Sequence, residues 1–381
     1  MKTLRKILLA TTALAASTAS VANSVALSAF TPTASADREH LWLRVKGKHI
    51  VTSPLSADGE QPFIAAGIGY ARDVIISAQD DAVMQFCKTH FLNTVRLSFY
   101  TNYIKKRPID IDEHIENFIE PVIAAARRHN LYVILDAHEY MSSKVDEATA
   151  REKQRTTQWD AAHLEKWIAG WRAVARRYKD EPQILGYELL NEPHDIPVEF
   201  VRENYLRCLR EIRAIDTRHI VLLGNRDWSH ARAMEPTWGN SAATLDAPRN
   251  NVVFAFHDYP EDNHPHIVQD RITKFRDAHN VPVMCTEFGA THWNKSETVC
   301  RKFLAGMHTL FARENVGWMV WALTKLEDNP RAPYNEVDKT GLGPPRVFDS
   351  CAYSDLWAPA AQIHASKMPA ASPSRRGGGR L

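Results

Sequence analysis

The stretch "ILGYELLNEPHD", residues 184–195, begins as an apolar run and ends in Asn191, Glu192 and Pro193. Continuous apolar runs of this length are typical of strands buried on both faces, as in a parallel sheet. A proline favours extended backbone in the residue before it, which would hold Glu192 at the edge of the sheet. The stretch therefore predicts a buried strand with a carboxylate at its C-terminal end.

Similar apolar runs recur on both sides of this stretch, and segments with helical periodicity lie between them. The opening stretch predicts a strand from Ile184 to Glu192, the fourth in chain order. The seven other predicted strands are Phe63–Tyr70, Asn93–Phe99, Tyr132–His138, His219–Asn225, Val252–Tyr259, Pro282–Gly289 and Gly317–Leu323. Pro121 is expected to kink or split the helix from Ile111 to Ala126. Eight strands alternating with helices predict an α/β fold, a (β/α)8 TIM barrel with a single catalytic domain. The alternative is a doubly wound open sheet, but "GIGYARD" lacks the GxGxxG spacing of a nucleotide-binding turn.

Both ends of the chain differ in composition from this central region. Basic residues, then the apolar run Ile7–Ala16, then small residues up to Ala36 predict a secretory signal over residues 1–36. Cleavage is expected after Ala36 or Ala22, and a membrane anchor is the alternative, although the apolar run is about half the ~20 residues that span a bilayer. Residues 37–366 are assigned to the catalytic domain, and residues 367–381 to a disordered tail. We therefore expect a secreted protein, either extracellular or periplasmic.

The composition limits the kind of partner. The chain has 381 residues, with 47 Lys and Arg against 45 Asp and Glu, a net charge of +2. This balance gives no electrostatic reason to expect binding to nucleic acid or to a membrane, so a neutral polymer or small molecule is favoured, and we expect a monomer. The five cysteines form no CxxC pattern, which predicts buried thiols rather than a metal site.

Polar residues follow the predicted strands at their C-terminal ends, where the active site of a barrel of this kind lies. Strands four and seven end in Glu192 and Glu287, and strands three apart in a ring of eight can face each other. Two facing carboxylates are the groups that cleave glycosidic bonds. Arg96, if it reaches Glu287, would favour the ionised form of Glu287. Glu192 has no cation nearby in sequence, so it is suited to the role of general acid.

Taken in order along the chain, these motifs resemble glycoside hydrolase family five, the cellulase-type family. The matching residues are Arg96, His138, Asn191-Glu192-Pro193, His257 with Tyr259, Glu287-Phe288-Gly289 and Trp321, and the resemblance covers Phe63–Leu323. It implies that Glu192 is the general acid/base and Glu287 the nucleophile of a retaining double displacement. It further implies that Asn191 binds the 2-hydroxyl of the sugar and that Trp321 stacks under the sugar. Arg96, His138, His257 and Tyr259 would orient the carboxylates and the sugar.

The resemblance implies a secreted hydrolase of β-linked glucan, similar to endoglucanases, that needs no metal and no organic cofactor. Trp228, after strand five, and Trp293, after strand seven, are predicted to pack against sugar rings. One alternative is a β-mannanase or another β-glycan hydrolase of the same family. Two alternatives of other classes are a non-catalytic carbohydrate-binding barrel and a metal-dependent barrel hydrolase that uses His138, His257 and acidic residues.

Overall fold

The computed structural model describes residues 42–52, 59–72, 80–104, 107–141, 159–260, 264–289, 297–323 and Ala361. Eight of its strands are Ala66–Tyr70 (β1), Thr94–Phe99 (β2), Tyr132–Ala137 (β3), Ile184–Glu188 (β4), Ile220–Leu223 (β5), Val252–Asp258 (β6), Val283–Phe288 (β7) and Gly317–Leu323 (β8). They form one closed barrel in which each strand runs parallel to the next and β8 pairs with β1. The predicted (β/α)8 barrel is confirmed. The predicted signal segment and C-terminal tail lie outside the described residues.

Two predicted strand boundaries differ from the structure by three residues or more. Strand β4 ends at Glu188 rather than Glu192, although the backbone beyond it still bonds to both flanking strands: Leu189 N donates to Leu222 O and Asn191 N to Ala137 O. Phe63 belongs to a small antiparallel sheet of Leu43–Lys46, His49–Thr52 and Pro62–Phe63 rather than to β1.

Helices lie between the barrel strands. Their bounds are Asp80–Thr89, Ile111–His114, Glu120–His129, Ala161–Tyr178, Val198–Arg213, Met234–Trp238, Pro265–His279 and Glu297–Glu314. The helix around Pro121 is not split: a π-helical stretch, Ile115–Ile119, joins its two α-helical parts without a break. A proline lacks an N–H and clashes with the carbonyl one turn before it, and the wider π turn accommodates both effects.

Side chains alternate between the two faces of the barrel strands and form two apolar clusters. The larger cluster lies between the strands and the helices, and it includes the buried indoles of Trp167 and Trp171, as the sequence predicts. The smaller cluster fills the lower barrel with residues such as Ile134, Leu222 and Met319, and the small antiparallel sheet packs against it. The polar side chains described below therefore lie at one end of the barrel interior, and this apolar cluster fills the other end.

Two further sequence predictions bear on the described part of the chain. Four cysteines, Cys87, Cys208, Cys285 and Cys300, are buried and free, which confirms the prediction of buried thiols for them. Cys351 lies outside the described residues. Within the described ranges, every helix is too short or too polar to cross a membrane.

Candidate active site

Arg96 lies at the centre of the polar layer and is fully buried. Its Nε donates to Glu188 Oε2 at 2.6 Å, its Nη1 to Glu287 Oε2 at 3.0 Å and its Nη2 to Asn191 Oδ1 at 2.9 Å. Asp136 Oδ2 lies 3.1 Å from the same Nη2. Burial opposes the charge, but the surrounding carboxylates outweigh it and raise the pKa of Arg96 well above its ordinary value. One guanidinium thus joins residues from β2, β3, β4 and β7.

A bulge in β7 aims Glu287 into the barrel. The register with β6 shifts by one residue, from Phe256 opposite Cys285 to His257 opposite Glu287. An extra residue of this kind breaks the alternation of faces and re-aims a side chain. As a result, the side chains of the consecutive residues Thr286 and Glu287 both make contacts inside the barrel.

The carboxylate of Glu287 is held from two sides. Tyr259 donates its hydroxyl to Oε1 at 2.6 Å, and Arg96 holds Oε2. Burial, together with the charge of Glu287, raises the pKa of Tyr259 well above its ordinary value, so Tyr259 remains a donor. The side chain of Glu287 is 8% exposed, which leaves one small face open to a ligand.

The backbone that carries Glu192 is fixed by the indoles of the helix Ala161–Tyr178. Trp167 Nε1 and Trp171 Nε1 both donate to Leu189 O, at 2.6 and 2.9 Å. The hydroxyl of Ser229 donates to Asn191 O at 2.9 Å. These bonds anchor the stretch between β4 and Glu192, whose side chain is 12% exposed.

Glu192 and Glu287 face each other beside His257. One ligand atom from each of the three side chains lies within 4.8 Å of the other two. His257 Nδ1 lies 2.9 Å from Glu192 Oε1, and Nε2 lies 3.1 Å from Thr286 Oγ1. Burial opposes a charged imidazole, but Glu287, Glu188 and Glu192 outweigh it and raise the pKa of His257 to about 10. An imidazolium has no lone pair to offer a metal, so this group is better suited to proton transfer than to cation binding.

His138 and Trp321 line the site near Arg96. His138 Nδ1 lies 2.7 Å from Asp136 Oδ2, and its ring stacks on the indole of Trp321 with centroids 4.8 Å apart and planes 13° apart. A Cβ on Gly69 would lie 2.5 Å from Trp321 Cε3, so the indole can pack against β1 only because residue 69 is a glycine. Trp321 is partly exposed, which leaves part of its ring available to a ligand.

Trp228 lies beside the segment that carries Glu192. Its backbone N donates to Pro193 O at 3.0 Å, and its indole stacks on the buried ring of His194 at 4.4 Å and 4°. Trp228 and its two neighbours all have left-handed backbone, with φ of 66°, 52° and 56° for Asp227, Trp228 and Ser229. Trp293 lies outside the described residues.

Sequence reasoning missed Glu188 and Thr286. Glu188 accepts from Arg96 Nε and from Thr286 Oγ1, both at 2.6 Å. Burial opposes its charge, but Arg96 and His257 outweigh burial and lower the pKa of Glu188 to about 2. The available signal was the presence of a glutamate inside an apolar strand, because a buried charge needs a partner.

The chain matches a family profile described as cellulase (glycosyl hydrolase family 5) over residues 58–327. Among curated relatives, it is 25% identical to endoglucanase 1 of Robillarda sp. (strain Y-20) over 55% of this chain and 58% of that protein. It is 23% identical to endoglucanase A of Butyrivibrio fibrisolvens over 78% of this chain and 63% of that protein. The matches thus span less than two-thirds of the length of these relatives.

Solved structures share the fold at low sequence identity. Cellulase Cel5C_n aligns with a TM-score of 0.61 at 18% identity, covering 85% of this chain and 92% of that one. A variant of the Thermobifida fusca endoglucanase Cel5A catalytic domain, solved with cellotetraose, aligns with a TM-score of 0.55 at 18% identity over 86% and 97% of the two chains. Since the family profile covers well over half of the sequence, the protein belongs to glycosyl hydrolase family 5.

Proposed function

We propose that the protein is a retaining glycoside hydrolase that cleaves β-linked glucan, with Glu192 as acid/base and Glu287 as nucleophile. The observation that carries this proposal is the pair of facing carboxylates, whose nearest oxygens lie within 4.8 Å of each other. Retaining enzymes place these groups about 5–5.5 Å apart, whereas inverting enzymes leave about 6.5–9.5 Å for a water molecule. The short separation supports retention.

The surroundings of the two carboxylates support different roles. Arg96 and Tyr259 donate to both oxygens of Glu287, which fixes the orientation of the carboxylate that would attack the anomeric carbon. Glu192, which contacts His257, would donate its proton to the leaving oxygen as the glycosyl-enzyme forms. A water molecule would then release the sugar, with Glu192 taking its proton as general base.

A polar donor and two aromatic rings support a sugar substrate. The amide nitrogen of Asn191 is buried and has no hydrogen-bond partner in the described part of the chain, and this unpaired donor next to Glu192 supports the role of Asn191 towards a sugar hydroxyl. Trp321 and Trp228 are partly exposed beside the two carboxylates and can pack against C–H faces of sugar rings. The endoglucanase relatives and the cellotetraose complex of a structural neighbour favour β-glucan, and a β-mannan remains the alternative. We also propose that the protein is exported, on the pattern of residues 1–36.

The test is sugar release from a panel of polymers: carboxymethylcellulose, mixed-linkage glucan, laminarin, xyloglucan and galactomannan. Glu192→Gln and Glu287→Gln should each abolish release, while Glu203→Gln, at an exposed helix position, should match wild type. Proton NMR of the first product formed should show the anomeric configuration of the substrate. Inverted product would refute the double displacement, and binding of a polymer without any hydrolysis would favour a non-catalytic barrel.

A further inference from the structure

Glu188 contacts both halves of the catalytic layer through separate oxygens. Its Oε2 accepts from Arg96 Nε and its Oε1 accepts from Thr286 Oγ1, each at 2.6 Å. The carboxylate is fully buried at the end of strand β4, four residues before Glu192. Because the reaction proposed above uses only Glu192 and Glu287 directly, Glu188 can act on it only through the residues that it contacts.

One oxygen of Glu188 supports the nucleophile. Arg96 donates to Glu188 through Nε. Its Nη1 donates to Glu287 Oε2, and its Nη2 donates to Asn191 Oδ1. A guanidinium is planar, so fixing the Nε edge fixes the directions of the other N–H groups. Glu188 therefore sets the angle at which Arg96 meets Glu287.

The other oxygen of Glu188 requires that Nε2 of His257 carry hydrogen and donate to Thr286. An ionised carboxylate can only accept, so the single hydroxyl hydrogen of Thr286 is directed to Glu188. Thr286 Oγ1 can then only accept from His257 Nε2, 3.1 Å away, and that nitrogen must carry hydrogen. The remaining nitrogen, Nδ1, is left facing Glu192 Oε1 at 2.9 Å, and a single hydrogen lies in that contact.

We infer that Glu188 and Thr286 are positioning residues that fix the ring of His257 with Nε2–H towards Thr286 and Nδ1 towards Glu192, and thereby support the acid/base function of Glu192. The inference rests on the function proposed above. The chain of contacts runs from Glu188 through Thr286 and His257 to Glu192, and each link is a hydrogen bond of 3.1 Å or less. The carboxylates that influence the charge of His257 are those of Glu192, Glu188 (3.6 Å away), Glu287 and Asp136. His230 also lies close: its Nδ1 is 3.2 Å from His257 O and 3.5 Å from Asp258 Oδ1.

Thr286→Val tests this chain without touching Arg96. The variant removes the hydroxyl and keeps the shape of the side chain, so Nε2 loses its acceptor. We expect kcat/KM for an aryl β-glycoside with a poor leaving group, such as phenyl, to fall by about tenfold or more, a part of the 10²–10⁴-fold supplied by a general acid. A 2,4-dinitrophenyl glycoside, whose leaving group needs no proton, should lose less than about threefold in kcat/KM.

Three further variants complete the comparison. Thr286→Ser restores the hydroxyl and should restore the rate on the phenyl glycoside. Thr94→Val makes the same change to a buried threonine of β2 whose hydroxyl donates to Asn93 Oδ1 at 2.8 Å, and it should behave like wild type on both glycosides. Glu188→Gln weakens both branches and should slow both glycosides. Equal losses on the two glycosides in Thr286→Val would overturn the inference.

A readout that does not depend on turnover separates this inference from the proposed function. Imidazole ¹⁵N signals of the full chain, with His257 assigned by comparison with His257→Gln, report the protonation and the hydrogen bonding of its two ring nitrogens. The signals should change in Thr286→Val and stay unchanged in Thr94→Val. If wild type hydrolyses no glycoside but these signals change as expected, the proposed function fails and the assigned hydrogen bond from His257 Nε2 to Thr286 stands. Unchanged signals in Thr286→Val refute the assignment, whatever the activity.

Discussion

His257 should make the stability of the protein depend on pH in the alkaline range. Its pKa rises from 6.5 to about 10 in the folded protein, because the carboxylates around it outweigh the effect of burial. A group whose pKa is raised by folding stabilises the fold fully below its unfolded pKa, and this contribution is lost as pH rises through the folded pKa. The loss should therefore occur between pH 6.5 and about 10.

The size of the effect follows from the shift. At about 1.4 kcal/mol per pKa unit, a shift of this size corresponds to an upper bound of roughly 5 kcal/mol in the free energy of unfolding. His257→Gln removes the titrating group and keeps a side chain that can both donate and accept. The difference in unfolding free energy between wild type and this variant should be largest near pH 6 and should shrink towards pH 10.

Urea unfolding of both proteins at a series of pH values measures this difference directly. His49→Gln, at an exposed position of the small antiparallel sheet, makes the same substitution away from the carboxylates and should unfold like wild type. Taking the difference between wild type and variant removes the contribution of tyrosines and lysines, which also titrate in this pH range, from the result. A difference between wild type and His257→Gln that stays constant from pH 6 to pH 10 would refute the reasoning.

Three other predictions concern the floor of the site, a buried network outside it and metal dependence. Gly69→Ala places a Cβ 2.5 Å from Trp321 Cε3, so the indole must move, and kcat/KM on the active polymer should fall by about tenfold to a hundredfold while circular dichroism stays unchanged. Tyr187→Phe removes hydroxyl contacts to Asp216 at 2.8 Å and His219 at 3.1 Å, which should lower the free energy of unfolding by about 1.5–3 kcal/mol in urea and leave activity intact. Prolonged dialysis against EDTA should leave hydrolysis unchanged, and a loss that zinc restores would favour the metal-dependent alternative.

The fold could be predicted because its signal is local. Each barrel strand is buried on both faces, so it is visible as an apolar run in the sequence alone. The carboxylates that end the fourth and seventh runs, Glu192 and Glu287, could be chosen because parallel strands place their C-terminal ends at one edge of the barrel. Their separate roles as acid/base and nucleophile remain predictions until the variants are measured.

The contacts within the site could not be predicted in the same way. The bulge that turns both Thr286 and Glu287 inward depends on the register of β7 against β6. Glu188 looks like an exception in an apolar run until Arg96, 92 positions earlier, is placed 2.6 Å from it. An apolar pattern encodes only whether a side chain is buried. Which buried groups meet depends on the register of neighbouring strands and on closure of the barrel, and both are set by contacts between residues distant in sequence.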